Sequence, residues 1–197
     1  MREFRPGDLA VMYRVCLLTG DAGEDATGLY RDGDLLGHVY VGPYPAFDPA
    51  LSFAVEDDEG VAGYLVGTAD TIAFERWAEM HWWPPLRERY PRLPGDGPRD
   101  RWILDHIHTP PLVVPPPGHP AHLHIDLLPR LQRQGWGRRL IDAFRAVLAE
   151  RDVPGLYLEV DGRNARAKAF YARLGFVPDE QGRLLLAVNP RPPRWRA

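Results

Sequence analysis

The stretch LQRQGWGRRLIDAF, residues 131–144, sets two glycines directly before an uninterrupted amphipathic run. Leu140, Ile141 and Phe144 recur at helical spacing, so a helix is predicted to begin near Trp136. The glycines have two interpretations. They either form a tight strand-to-helix turn, or their missing side chains let backbone N–H groups close on a phosphate.

The rest of the chain alternates between helical and extended patterns. Asp8 is predicted to cap a helix that begins near Leu9, and residues 51–68 are predicted to form a hairpin around the acidic turn DDEG. The segment AHLHIDLL is predicted as the strand before the glycine turn. GLYLEV, NARAKAFYARLGF and RLLLAV then follow as strand, helix and strand. These elements together predict a mixed α/β fold.

Composition favours one domain over residues 1–197 that folds without metal or disulfide support. The formal net charge is -3, so no nucleic-acid or membrane partner is expected and any anion must bind locally. Cys16 is the only cysteine, which excludes an internal disulfide and favours a reducing compartment. Because no apolar run approaches the roughly 20 residues that span a bilayer, we expect a soluble protein, and the cysteine usage makes the cytoplasm the expected compartment. A monomer and a homodimer are both compatible with these features.

Residues 71–120 are predicted to be an insertion in this fold. Eleven of the 21 prolines lie there and end in TPPLVVPPPGHP, which is too rich in proline for a helix or an inner strand. The insertion also carries many aromatic residues, which is atypical of a disordered linker. Trp82, Trp83 and Tyr90 either form a wall of an acceptor pocket or make a satellite core.

Two segments within residues 121–176 resemble the acyl-CoA-binding core of the GNAT superfamily of acyltransferases. LLPRLQRQGWGRRLI matches the Gln/Arg-x-x-Gly-x-Gly/Ala loop of that family through Gln132, Gly135 and Gly137. NARAKAFYARLGF matches its second signature segment through Asn164, Ala167, Tyr171, Gly175 and Phe176. The resemblance implies a twisted, mostly antiparallel sheet, flanked by helices and splayed between its central strands. It also implies that acetyl-CoA binds in the gap.

A narrower resemblance covers GYLVGTADTIAFERWAEMHWWPPLRERY, residues 63–90. This stretch is similar to the acetyltransferase-like C-terminal domain of O-GlcNAcase and to its stand-alone bacterial relatives. The shared residues are Gly63, Tyr64, Gly67, Thr68, Asp70, Phe74, Trp82, Pro84 and Tyr90. The eukaryotic domain lacks a recognisable glycine loop, whereas this chain has one, so cofactor binding is better supported here.

The GNAT resemblance implies which residues bind acetyl-CoA. Backbone groups of Leu127 and Leu128 would pair with the pantetheine amides, the N–H groups of residues 133–138 would hold the pyrophosphate, and Asn164 would reach the arm. The implied cofactor-binding residues are Leu127, Leu128, Gln132, Arg133, Gln134, Gly135, Trp136, Gly137, Arg138, Asn164 and Tyr171. Tyr171 also matches the tyrosine that donates a proton to the departing thiolate. Alternatively, it packs beside Phe170.

The general base is predicted on the strand HLHIDLL. An ammonium acceptor must lose a proton before it attacks a thioester. A period of two places His122, His124 and Asp126 on one face of the strand, and Asp126 beside the splay is the first choice. Glu159 and Asp161 compete with it. Alternatively, Asp126 is a structural carboxylate that holds a turn or orients a histidine.

Four histidines and Asp126 also permit a metal-site interpretation, which we do not favour. The histidines straddle a flexible proline run, and the family needs no metal. They are His108, His119, His122 and His124.

The predicted function is acetyl-CoA-dependent N-acetyl transfer to an amine acceptor of unknown identity. Transfer is expected to be direct, because Cys16 lies on a core helix face. The N–H of Leu128 is expected to stabilise the developing oxyanion. A non-catalytic acyl-CoA sensor or interaction module is the alternative. A nucleotide-binding regulator is weaker, because the glycine spacing differs from dinucleotide and nucleotide-hydrolysing loops.

Overall fold

The computed structural model describes residues 1–188, which form a seven-stranded sheet flanked by helices. The strands are β1 (Arg2–Glu3), β2 (Ser52–Asp57), β3 (Gly60–Thr68), β4 (Ala121–Leu127), β5 (Gly155–Leu158), β6 (Val177–Pro178) and β7 (Leu184–Ala187). The α-helices are α1 (Leu9–Thr19), α2 (Leu35–Tyr40), α3 (Pro43–Phe47), α4 (Thr71–Trp77), α5 (Trp83–Arg89), α6 (Pro98–His108), α7 (Trp136–Glu150) and α8 (Ala165–Arg173). Within these residues, each helix is too short or too polar to cross a bilayer.

The sheet splays between its central strands, as the family resemblance implies. The strand order is β1-β2-β3-β4-β5-β7-β6, and β4 with β5 is the parallel pair among otherwise antiparallel neighbours. These two strands pair only at Ala121 with Leu156 and at His122 with Tyr157. Beyond His122, β4 runs on to Leu127 while β5 ends at Leu158, so a gap opens between them. The predicted mixed, mostly antiparallel fold is therefore confirmed.

Helices α1 and α7 cover opposite faces of this sheet. Tyr64 on β3 contacts Cys16 of α1. Three residues further along the strand, on the other face, Gly67 lies against the ring of Phe144 of α7. A Cβ at Gly67 would lie 2.6 Å from that ring, so only glycine lets α7 approach so closely. Because successive strand residues face opposite sides, the gap between β4 and β5 is reached by side chains from both layers.

The predicted first helix is present, and Asp8 is its N-cap residue, but the capping hydrogen bond is missing. Asp8 does not cap α1 with its side chain. Instead, its carboxylate accepts hydrogen bonds from the guanidinium of Arg2 at 2.6 and 2.8 Å and from the backbone N–H of Arg5 at 2.7 Å. A 3-10 turn at Pro6–Asp8 precedes the helix and turns Asp8 back toward the chain start.

The segment predicted as an insertion is mostly helical. It carries α4 and α5, which a π-helical turn at Ala78–Trp82 joins, and then α6. Its proline-rich end at 110–120 lies outside helices and strands, as predicted. Trp83 and Tyr90 are buried in the same apolar cluster as the sheet. Trp82 is half-buried and donates its indole N–H to the carbonyl of His38 at 2.8 Å. The structure therefore favours the core interpretation of Trp83 and Tyr90 over that of a pocket wall.

Candidate active site

A cleft of about 620 Å³ opens between the end of β4, the start of α7 and the inner face of α8. It brings together all but two of the site residues predicted from the sequence. Those lining it are Asp126, Leu127, Gln132, Arg133, Gly135, Trp136, Gly137, Arg138, Asn164 and Tyr171. Leu128 and Gln134 are the two residues outside the cleft lining. Residues distant in the sequence thus meet at the gap between β4 and β5.

The loop before α7 and the first turn of that helix, residues 133–138, form a concave surface suited to an anion, here called the anion cradle. Gly135 is the N-cap of α7, with a φ of 83°, and open space surrounds the position of a Cβ there. Arg133 also adopts a positive φ, of 62°. No side chain of residues 1–188 caps α7, so the free N–H groups of its first turn and its positive dipole end face the cleft. These groups fit a pyrophosphate.

Gly135 and Gly137 are required for different structural reasons. A Cβ at Gly137 would lie 2.7 Å from Cζ of Phe170, so this glycine lets α8 pack against the start of α7. Gly135 has no such neighbour and is required by its left-handed backbone. Gly137 thus allows close packing of α8, a reason that neither sequence interpretation names, whereas Gly135 forms the turn into α7 and leaves open space beside its backbone.

Positive charge surrounds this loop. Arg133 and Arg138 line the cleft as predicted, and Arg166 and Arg173 of α8 face it from the other side. The whole chain carries a net charge of -3, so this concentration of guanidinium groups is local. Sequence reasoning missed Arg166 and Arg173, although their spacing of seven residues, two helical turns, places them on one helix face.

The backbone at the end of β4 corrects the expected role of Leu128. Its N–H donates to the carbonyl of Ala62 at 2.9 Å and is therefore not available to an oxyanion. Since hydrogen bonding alternates along an antiparallel strand, the N–H of the preceding residue, Leu127, points to the opposite edge, toward the gap. The side-chain amide of Gln132 donates to the carbonyl of Leu127 at 2.9 Å. Gln134 instead donates its side-chain amide to the carbonyl of Arg130 and is exposed.

Asp126 is a half-buried carboxylate at the cleft. Burial raises its pKa to about 6, and the hydrogen bond that it accepts from the hydroxyl of Tyr64 partly opposes this shift. Tyr64 lies directly across the β3–β4 ladder from Asp126. The partners of the carboxylate are thus the hydroxyls of Tyr64 and Thr19, rather than a turn or a histidine. A group with this pKa is mostly ionised at neutral pH and still has appreciable affinity for a proton.

The two competing carboxylates lie outside the cleft lining. Asp161 pairs with the guanidinium of Arg163 at 2.8 Å, and this hydrogen bond lowers its pKa to about 2. Glu159 follows the end of β5 and is exposed. Asp126 is therefore the carboxylate that the structure places beside the loop and Tyr171.

Tyr171 is buried in a cluster of aromatic rings at the cleft. Its ring packs on Phe170 and Phe176, with centroid distances of 5.1 and 5.2 Å, and it also lines the cleft. Burial raises its pKa well above the usual value, and the nearby charge of Asp126 adds to this effect. The phenol therefore keeps its proton at neutral pH and is available as a donor.

Asn164 has a structural function that sequence reasoning missed. Its side-chain oxygen accepts from the backbone N–H of Ala167 at 2.9 Å and so caps α8. An asparagine directly before a helical pattern is a standard signal for such a cap. The amide NH₂ remains available at the cleft, where Asn164 is part of the lining.

The histidines of the metal interpretation are engaged elsewhere. His108 and His119 hydrogen-bond backbone carbonyls, and His122 and His124 both contact the hydroxyl of Tyr44 at 2.9 Å. Within residues 1–188, no cluster of histidine, cysteine, aspartate and glutamate side chains has the arrangement of a metal site.

The fold and the cleft have the architecture of the GNAT family of acetyltransferases. Residues 34–176 match the Acetyltransferase (GNAT) family, which is more than half of the chain, so the protein belongs to this family. The crystal structure of SsHAT is similar over 95% of this chain and 97% of its own, with 36% identity and a TM-score of 0.85.

Two further comparisons extend this result. Rat (Rattus norvegicus) Protein O-GlcNAcase is 25% identical over 182 residues, which is 89% of this chain and 20% of the rat protein. The chain therefore spans about a fifth of that relative. The ribosomal-protein-S18-alanine N-acetyltransferase from Escherichia coli shares the fold, with 18% identity and a TM-score of 0.52. The resemblances noted in the sequence are thus confirmed.

Proposed function

We propose that the protein transfers an acetyl group from acetyl-CoA directly to an amine. The observation that carries this proposal is the shared cleft, where Asp126 and Tyr171 lie beside the anion cradle at the start of α7. A base, a proton donor and a phosphate-binding loop at one gap in the sheet are the groups that acyl transfer from a thioester requires.

Asp126 removes the proton that keeps the acceptor unreactive. An amine arrives mostly as ammonium, and its nitrogen cannot attack until one N–H proton leaves. The pKa of about 6 leaves Asp126 largely ionised at neutral pH, yet it makes the carboxylate a stronger base than an exposed aspartate. The hydrogen bond from Tyr64 holds the carboxylate in position on β4.

Acetyl-CoA, when bound, supplies a thioester carbonyl as the electrophile. In the transfer, the amine nitrogen forms a bond to the carbonyl carbon and the carbon–sulfur bond breaks. The N–H of Leu127, which faces the gap, stabilises the negative charge that develops on the carbonyl oxygen. The hydroxyl of Tyr171 donates its proton to the departing sulfur, and the proton that the nitrogen releases on becoming an amide restores this hydroxyl. Arg133, Arg138 and the first N–H groups of α7 hold the pyrophosphate.

Direct transfer is favoured over an acetyl-cysteine intermediate. Cys16 is buried and touches Tyr64, so it is near Asp126 in space although far from it in sequence. Burial raises the pKa of its thiol well above the usual range. The thiolate needed for nucleophilic attack is therefore scarce at neutral pH.

The decisive experiment combines calorimetry with an amine screen. We expect acetyl-CoA and CoA to bind in titration calorimetry, and at least one amine to release free CoA thiol in a colorimetric assay. Tight binding of CoA without turnover of any amine would instead support the sensor function. Failure of CoA to bind would contradict both.

Replacing Tyr171 with phenylalanine is expected to lower the turnover number while the affinity for acetyl-CoA stays nearly unchanged. The ring keeps its packing on Phe170 and Phe176, and only the hydroxyl is lost. Because a thiolate is a fair leaving group, the loss should be smaller than the ~10²-fold lower limit usual for general acids. Steady-state kinetics on an identified acceptor measures it, and unchanged turnover would assign Tyr171 to packing alone.

Replacing Tyr64 with phenylalanine is expected to move the acidic limb of the pH–rate profile to higher pH. The hydroxyl of Tyr64 lowers the pKa of Asp126, so its removal lets burial raise that pKa further. The base then becomes protonated at a higher pH, and activity falls sooner on acidification. A profile of kcat/KM from pH 5 to 9 tests this, with an unshifted limb as the contrary result.

A further inference from the structure

A hydroxyl from α1 completes the surroundings of Asp126. Thr19 is the last residue of α1, is buried and lines the same cleft as the carboxylate. Its hydroxyl hydrogen-bonds with Asp126, and this bond favours the ionised carboxylate. The same hydroxyl lies 2.9 Å from the carbonyl of Val15 and 3.4 Å from that of Cys16, one turn earlier in the helix. Thr19 therefore lies between acceptors on two sides and has a single proton to donate.

The carbonyl of Val15 can receive this proton although it also belongs to the helix. A carbonyl oxygen has two lone pairs, so it accepts the helical N–H and a threonine hydroxyl together. Two orientations of the Thr19 hydroxyl are therefore available. In one the proton points to Asp126, and in the other it points to Val15 while the lone pairs of Oγ1 face Asp126.

Tyr64 has no such choice. Its hydroxyl donates to Oδ2 of Asp126, and its oxygen hydrogen-bonds with the thiol of Cys16. Burial keeps that thiol protonated, and sulfur is only a weak acceptor. The phenol proton therefore stays on the carboxyl side, whether Asp126 is ionised or protonated. Thr19 is the partner of Asp126 that can change from donor to acceptor.

The two protonation states of Asp126 need different partners. An ionised carboxylate only accepts hydrogen bonds, whereas a protonated carboxyl carries an O–H that requires an acceptor. A buried polar group left without its partner is destabilised. Rotation of one hydroxyl about its Cβ–Oγ1 bond supplies a donor for the first state and an acceptor for the second. Such an arrangement suits a base that gains and loses a proton in every catalytic cycle.

We propose that Thr19 is a positioning residue for the base: its hydroxyl donates to the ionised Asp126 and turns to the carbonyl of Val15 when Asp126 takes the proton of the acceptor. The inference rests on the proposed acetyl transfer. One proton moves from the ammonium nitrogen to the carboxylate, and the O–H bond of Thr19 stays intact throughout. Asp126 releases that proton to water after the product leaves, and the hydroxyl turns back.

The other groups near Asp126 keep one charge state at neutral pH. Burial raises the pKa of Tyr64, of Cys16 and of Tyr171 on α8, so all three stay protonated. The other charged side chains of the cleft lining are the guanidinium groups of Arg133, Arg138, Arg166 and Arg173. These groups are unchanged in the variants below, so a change in the titration of Asp126 is assigned to Thr19.

Replacing Thr19 with valine tests the donor without any turnover. Valine has nearly the shape of threonine but no hydroxyl, so the ionised Asp126 loses one of its two donors and its pKa rises. Carbon-13 NMR of the side-chain carboxyl, identified by its loss in Asp126→Asn, should show a titration midpoint about one pH unit above that of the wild type. Thr19→Ser keeps the hydroxyl and should titrate like the wild type.

Thr68→Val provides the matched control for the lost hydroxyl. Thr68 is also buried, at the end of β3, and its hydroxyl hydrogen-bonds the backbone of Asp70. This substitution removes a buried hydroxyl from the same sheet without changing a partner of Asp126, so the midpoint should stay in place. If Thr19→Val also leaves the midpoint in place, the hydroxyl serves only the helix and the inference is overturned.

The kinetics of Thr19→Val on an identified acceptor give a second measurement. Because the pKa of Asp126 is about 6, a rise of about one pH unit lowers its ionised fraction at pH 6 about fivefold. We expect kcat/KM to fall by that factor at pH 6, to approach the wild-type value at pH 9, and to be restored at pH 6 by Thr19→Ser. An equal loss at both pH values would show that Thr19 only supports the fold and would overturn the inference.

The NMR titrations separate this inference from the proposed function, because they need neither CoA nor an amine. A wild type that binds CoA but acetylates no amine would overturn the proposed function, and with it the acceptor as the source of the proton. The titrations of Thr19→Val and Thr19→Ser would still decide whether the hydroxyl serves Asp126.

Discussion

Replacing Asp126 with asparagine is expected to slow acetyl transfer by ~10²–10⁴-fold, the range attributed to general-base catalysis. Asparagine has the same shape and can still accept the hydrogen bond from Tyr64, but it cannot take a proton from the ammonium. Binding of acetyl-CoA, measured by calorimetry, should be retained, because the phosphate contacts lie at the start of α7. Glu159→Gln, at an exposed carboxylate after the end of β5, serves as the control. Its rate of acetyl transfer should equal that of the wild type.

The dependence of this loss on pH identifies the role of Asp126. In the wild type, kcat/KM should rise with pH through about 6 as the carboxylate ionises. In Asp126→Asn, this rise of kcat/KM near pH 6 should vanish. The difference in kcat/KM between the variant and the wild type should shrink at high pH, where more of the amine arrives already deprotonated. A deficit that ignores pH would contradict the base assignment and make Glu159 the next candidate.

Thermal unfolding gives a second, independent reading of Asp126→Asn. The folded-state pKa of Asp126 is raised above its unfolded value, so its contribution to stability is greatest at acidic pH and is lost as pH rises through about 6. Asparagine never ionises, and at pH 8 the variant should be at least as stable as the wild type. A large drop in melting temperature at that pH would indicate that the carboxylate is structural.

Replacing Gly135 with aspartate is expected to weaken CoA binding about 100-fold or more. The side chain would enter the open space at the start of α7 with a negative charge, where the pyrophosphate is proposed to bind. Loss of two charge-assisted hydrogen bonds of ~1.5 kcal/mol each accounts for that factor. Gly135→Asn, which tolerates the same left-handed backbone without the charge, should retain more of the affinity.

Gly182 provides the matched control for this substitution. It has a φ of 81°, open space at its Cβ position and a place between β6 and β7 outside the cleft lining. Gly182→Asp therefore imposes similar backbone strain and the same charge, yet it should bind CoA like the wild type. If a folded Gly135→Asp variant binds CoA with unchanged affinity, the assignment of the anion cradle as the pyrophosphate site is contradicted. Gly137 is unsuitable for this test, because any side chain there displaces Phe170.

Local patterns in the sequence were sufficient for the elements that carry the family motifs. The periodicity of residues 136–148 predicts α7, and alternation in residues 121–127 predicts β4, because helix and strand repeats depend on the chain itself. The pattern of residues 35–47 indicates no regular element, although they form α2 and α3. The glycines of this segment suggest that no helix continues through it. In the structure, Gly37 and Gly42 are required because a Cβ at either position would clash with Tyr13. That reason exists only after α1 has packed on α2.

The chemistry of the site depends on tertiary contacts that the spacing of residues along the sequence does not predict. The strand position of Asp126 makes it a candidate in the sequence. The structure favours it because it is buried and accepts a hydrogen bond from Tyr64 across the ladder. Of its competitors, Glu159 is exposed and Asp161 pairs with Arg163. The N–H expected from Leu128 donates to the carbonyl of Ala62 on β3. Sequence motifs report backbone shapes and residue types. Desolvation, hydrogen-bond direction and pairing register arise only when distant segments meet, so the structure alone determined them.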